Sequence, residues 1–119
     1  MSQLSEHFYT KEFACRCCGE VYVDPELIAK LEQARAIYGK PMRVNSGYRC
    51  KAHNEAVGGA GGSYHCKGQA VDISVSDGRD RYRMLRAFLD AGFNRIGLYA
   101  KGWMHVDVGQ EPADVVWVG

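Results

Sequence analysis

Between Asp24 and Gly39 the apolar side chains fall at Leu27, Ile28, Leu31, Ala34, Ile37 and Tyr38, the spacing of one helix face. Asp24 supplies an N-cap, Pro25 suits the first helical position, Gly39 stops the helix and Pro41 prevents its resumption. Residues 42–46 then read as a short strand that opens into a long, mobile loop carrying Gly47, Gly58, Gly59, Gly61 and Gly62. From residue 69 the period changes to two, with Ala70, Asp72 and Ser74 on one face and Val71, Ile73 and Val75 on the other, so the second face is predicted to be core. Asp77 caps a predicted helix over 79–91, with Tyr82, Leu85, Phe88 and Leu89 as its apolar stripe, Arg81, Arg83 and Arg86 on a solvated face, and Gly92 as its stop. Two β-prone runs, 95–100 and 104–108, are joined by Lys101-Gly102 and predict a tight antiparallel hairpin. The tail, 115–118, suits an edge strand.

This order of elements predicts an α+β fold: a small, mostly antiparallel sheet packed against two helices. The 119 residues contain no repeat, low-complexity segment or linker, so 1–119 is expected to form a single domain able to bury a core without disulfides. Fifteen basic and fourteen acidic side chains leave a net charge of +1, which argues against a nucleic-acid groove or a polybasic membrane patch. No apolar run approaches membrane-spanning length, and Met1 to Tyr9 lacks the charged and apolar regions of an export leader. A soluble monomer is the expectation, and its partner has to be read from the chemistry of the site.

That chemistry lies in Ser63-x-His65-x-x-Gly68-x-Ala70-x-Asp72, followed by Trp103-Met104-His105-Val106-Asp107. An open catalytic zinc site uses three protein ligands and keeps the fourth position for water, and His65, Asp72 and His105 supply two nitrogens and one oxygen. One carboxylate leaves the ion one positive charge, which draws the pKa of bound water from about 15.7 towards about 7. Gly68 lets the chain turn between His65 and the strand, and small Ala70 leaves room beside Asp72. Trp103, His105 and Asp107 share one strand face, so an indole and a second carboxylate should border the ion. Asp107 is a candidate general base, or else a residue that orients His105 from behind.

Five cysteines, Cys15, Cys17, Cys18, Cys50 and Cys66, are many for this length, and an odd count leaves at least one unpaired in a monomer unless it binds metal or a second chain. Cys15-x-Cys17-Cys18 invites a structural zinc, but a four-ligand site needs Cys50 or Cys66 as well, and two Cys-x-x-Cys knuckles at proper spacing are missing. Disulfides suit a protein working outside the cytoplasm and buried thiols one working inside it. Cys66 either tethers the site loop or fills space.

Ser-Gly-Tyr-Arg at 46–49, His-Asn at 53–54, Val-Gly-Gly-Ala at 57–60, the Ser63 to Asp72 pattern and His105-Val-Asp107 together resemble the M15 zinc peptidases, the D-alanyl-D-alanine carboxypeptidases and related peptidoglycan peptidases. Residues 13–19 resemble their lead-in. The resemblance implies a Hedgehog/DD-peptidase-like fold, Zn²⁺ held by His65, Asp72 and His105, and Arg49 contacting the substrate carbonyl or carboxylate, which its charge and paired donors suit. It places Ser63 near the substrate, where capping of the loop backbone is the competing role. Some relatives carry a histidine where this chain has Trp103, so the base falls to Asp107 or to a loop carboxylate such as Glu55. The implied activity is hydrolysis of an amide in peptidoglycan stem peptides or cross-links, of carboxypeptidase or endopeptidase type, acting on the cell wall. With no leader in view, a phage lysin or prophage product fits better than a secreted enzyme. A zinc-containing binding module without hydrolysis, as in the Hedgehog signalling domain, is the alternative; a cysteine-based redox or zinc-structural protein is a third.

Overall fold

The helical pattern that begins at Asp24 forms helix α2, Pro25–Tyr38. It follows a single helical turn, α1, Thr10–Phe13. The Asp24 carboxylate accepts the Glu26 amide at 2.8 Å, and Leu27, Ile28, Leu31 and Ala34 turn inward. The computed structural model describes residues 3–59 and 61–119. Met1, at the head of the stretch inspected for a leader, and Ala60, the last residue of the 57–60 motif, lie outside the described residues.

Five strands form one sheet in the order β1-β2-β4-β3-β5, where β1 is Val44–Ser46, β2 Ala70–Ser74, β3 Arg95–Tyr99, β4 Trp103–Asp107 and β5 Val115–Val118. All neighbours are antiparallel except β3 and β5, which run parallel. The alternation in β2 and β4 sorts side chains as its period requires: Val71, Ile73, Met104 and Val106 are wholly buried in the main core. Asp72 and His105 take the other face. The β3–β4 hairpin pairs Tyr99 with Trp103, so its connection is residues 100–102, one longer than the Lys101-Gly102 turn expected.

Helix α4, Gly78–Asp90, is capped by Asp77 through the Asp80 amide at 2.8 Å and packs on α2. Its inward face keeps Phe88 and, partly buried, Leu85 from the expected stripe, but adds Met84 and Ala87, with Ala91 continuing the line beyond its end, while Tyr82 and Leu89 are largely exposed. Positions 84, 87, 88 and 91 follow i, i+3, i+4, i+7, and their two alanines allow a closer approach to the neighbouring helix. Arg81 also leaves the solvated face expected for it, donating to the Tyr99 carbonyl at 2.9 Å and so bracing the hairpin.

The supposed long loop after β1 is broken by helix α3, Lys51–Ala56, and by a 3₁₀ turn, Tyr64–Lys67. Neither is long enough to show a stripe, and the one buried residue of α3 is the polar Asn54. Both begin on side-chain caps, from Cys50 and Ser63, which substitute for hydrophobic periodicity as the local signal.

Candidate metal centre

Strand register creates the centre. Asp72 on β2 and His105 on β4 are direct cross-strand partners, so their side chains rise together from the face opposite the main core. His65 comes from the 3₁₀ turn, which Gly68 ends in a left-handed conformation (φ +70°) before β2 begins. The ligating atoms of His65, Asp72 and His105 lie within 4.8 Å of one another.

The hydrogen bonds behind the two rings decide which nitrogens face inward. His65 Nδ1 donates to the Gly47 carbonyl at 2.7 Å, and His105 Nε2 donates to Asp107 Oδ2 at 2.7 Å. In the neutral rings the remaining nitrogens are therefore lone-pair atoms. These are His65 Nε2 and His105 Nδ1, and both point at Asp72 Oδ1, at 3.3 and 3.0 Å. Acceptors facing acceptors repel unless a cation lies among them, and a mixed nitrogen–oxygen set of three suits a divalent ion such as zinc. A proton meets part of the same need. Burial disfavours charge on His105, yet the carboxylates of Asp107 and Asp72 outweigh it and raise its pKa above the usual histidine value. Burial likewise opposes ionisation of Asp72, but its close contacts with the His105 and His65 rings hold its carboxyl well below the usual range.

Asp107 is almost completely buried, at 1% exposure. Its Oδ1 accepts Arg95 Nε at 2.6 Å and the Gly109 amide at 2.9 Å, while Oδ2 takes the His105 proton. This bonding sets Asp107 behind the His105 ring. Arg95, a charged residue at the head of an apolar strand, was missed in the sequence; that misfit was the available signal. The same network holds the Asp107 carboxyl below its ordinary pKa, with burial opposing and His105 and Arg95 prevailing.

A cavity of about 490 Å³ opens over the three candidate ligands. Arg49 stands in its wall, donating to Asp72 Oδ2 at 3.2 Å, to Asn54 Oδ1 at 3.2 Å and to Ser46 Oγ at 3.1 Å. Ser63 also lines it, with its hydroxyl accepting the His65 amide at 3.2 Å, so it caps the turn that carries a candidate ligand. Glu55 is exposed on α3 and is not among the described residues lining the cavity. The far wall is aromatic. Tyr99 and Trp103 stack at 5.0 Å, and Trp117 on β5 lies 5.3 Å from the His105 ring and donates to the Tyr99 hydroxyl at 3.0 Å. Trp117 was legible only as part of an edge strand, because its place over His105 depends on the parallel return of β5 beside β3.

The Peptidase M15 family profile matches residues 6–107, a span that includes all three candidate ligands, and the chain belongs to that family. Among curated proteins it is similar to the peptidoglycan L,D-endopeptidase MepK of Escherichia coli K12 and of Shigella flexneri. Each is 32% identical over 95 residues, covering 73% of this chain and 52% of the relative. The chain thus spans about half the length of the curated relatives it matches.

Proposed function

We propose that this chain is a zinc-dependent peptidase that hydrolyses an amide bond in peptidoglycan peptides at the cell wall. The observation that carries the reading is the convergence of two imidazole nitrogens on one carboxylate oxygen, each ring held from behind by an acceptor. Zinc held by His65, Asp72 and His105 would supply a Lewis acid for the scissile carbonyl and an activated water near neutral pH. Membership of the M15 family and the similarity to MepK support the same conclusion.

The chain's own groups prepare the site. Gly47 and Asp107 fix the two ring orientations, and Arg95 holds Asp107 in place, so the ligands meet an ion without reorganising. Arg49 is positioned by Ser46 and Asn54, and we assign it to bind a substrate carbonyl or carboxylate and to stabilise charge developing there. Tyr99, Trp103 and Trp117 offer a flat apolar wall for an extended peptide, and Ser63 at the rim is the further substrate contact. MepK's name makes an L,D-peptide bond, and so the endopeptidase rather than the carboxypeptidase type, the first to assay.

The test is digestion of purified muropeptides, with products identified by mass. Cleavage should stop on chelation and return with zinc; turnover by metal-free protein would sink the assignment. One observation favours the alternative of a non-catalytic zinc module: among the described cavity-lining residues the carboxylates are Asp72 and Asp107, and both are engaged. That reading predicts zinc-loaded protein that retains wall fragments and releases no product.

A further inference from the structure

Away from this centre, the sulfurs of Cys15, Cys18 and Cys50 lie within 4.8 Å of one another. We propose that these three, with Cys17 as the fourth ligand, form a structural zinc site that fastens the amino-terminal segment to the strand-to-helix connection carrying Arg49.

The geometry is that of a metal knuckle. Cys15-Arg16-Cys17-Cys18-Gly19 folds back on itself, with the Cys15 amide donating to the Glu20 carbonyl at 2.7 Å and the Gly19 amide to the Cys15 carbonyl at 2.9 Å. The Cys50 amide donates to the Cys15 sulfur at 3.4 Å. The Cys50 sulfur in turn caps α3 by accepting the His53 amide at 3.4 Å. Amide donors aimed at sulfur favour the thiolate, the form that binds metal. Four sulfurs about 2.3 Å from a tetrahedral ion sit about 3.8 Å from each other, so the three clustered sulfurs need move little to take one up. Cys17, exposed between Cys15 and Cys18 on the same folded-back segment, would supply the fourth sulfur.

Competing explanations fit less well. Cys17 and Cys18 are exposed, so apolar filling does not account for them, and all five cysteines are free thiols. One disulfide would use two of the four sulfurs and leave the others beside it without purpose. The second knuckle that the sequence seemed to lack is replaced by a single helix-capping cysteine, which the fold delivers from residue 50. The segments being joined already touch along their backbones. The Tyr48 amide donates to the Phe13 carbonyl at 2.8 Å, and a Cβ on Gly47 would sit 2.6 Å from Phe13 Cα. Arg16 reaches across to the Asn45 carbonyl at 3.1 Å. Soft thiolates select zinc over the hard cations, and a closed four-sulfur site has no open position for catalysis, so the ion is structural.

The test uses the whole chain purified under reducing conditions. Wild type should carry about two zinc ions and His65→Ala about one. Working in the His65→Ala background separates this site from the hydrolytic one, whatever becomes of the peptidase assignment. Cobalt loaded into that variant should show thiolate-to-cobalt charge transfer in the near ultraviolet, lost on Cys50→Ser and kept on Cys66→Ser. Should Cys50→Ser fail to fold, Cys17→Ser and Cys18→Ser at exposed positions should each loosen the ion, read as faster release to a chelating dye. Absence of the charge-transfer band from reduced, folded His65→Ala would overturn the proposal. So would a band that survives every one of the Cys15, Cys17, Cys18 and Cys50 substitutions.

Discussion

The His65–Asp72–His105 centre and the Cys15–Cys18–Cys50 cluster each gather three donor atoms within 4.8 Å, yet they are built in opposite ways. The first stands mainly on paired strands: β-register sets Asp72 against His105, and a rear shell of Gly47, Asp107 and Arg95 fixes the rings. The second joins two irregular segments, and its internal order comes from backbone amides directed at sulfur. A centre that must keep one face open needs a frame that stays rigid without the ion. A closed thiolate cluster can let the ion supply that rigidity itself. Gly47 belongs to both regions, since its carbonyl orients His65 while its Cα lies against Phe13, two residues before Cys15.

The harshest way to break the contrast is His105→Ala. On the proposed function, water activation and carbonyl polarisation would be lost together, so hydrolysis should fall by at least about 10³-fold, with the fold intact by circular dichroism. Asp107→Asn tests the rear shell more gently. Zinc affinity, measured by competition with a chelator, should weaken by about 10- to 100-fold while Arg49 and the cavity wall stay in place. An unchanged zinc affinity would remove Asp107 from the role given to it.

Gly47→Ala probes the junction. The added methyl meets Phe13 backbone at 2.6 Å, which no side-chain rotation relieves, so stability in urea should drop by about 1–3 kcal/mol. If the junction couples the two regions, zinc should be lost from both. The smallest effect belongs to neither region and provides a baseline. Asp80 on α4 accepts Lys40 Nζ at 2.7 Å and the Tyr38 hydroxyl at 2.6 Å, and these bonds, Lys40 first, lower its pKa from 3.8 to about 2. A depressed carboxyl contributes stability above its unfolded value and loses it as pH falls through the folded one. The urea midpoint should therefore decline between roughly pH 4 and pH 2, by about 1 kcal/mol or less, and Asp80→Asn should flatten that decline.

The long periodic elements and the chemistry riding on them were legible in the chain itself. Helix α2 with its Asp24 cap and the alternation that buries Val71 and Ile73 and turns Asp72 to the other face follow from local spacing, because a helix or strand imposes its period wherever it forms, whereas His65, Asp72 and His105 were singled out as a set by their residue types and by the M15 resemblance. Short capped elements such as α3 left no such trace, and the inward face of α4 was settled by its neighbour rather than by its own composition. Tertiary structure alone decided what meets across the chain: Arg95 behind Asp107, Trp117 over the His105 ring, and Cys50 beside Cys15 and Cys18. Those encounters depend on register, on the parallel return of β5, and on a close backbone approach at Gly47. They are long-range facts, because the energy of a contact between distant residues is set by the fold that brings them together and leaves no periodic mark in the sequence.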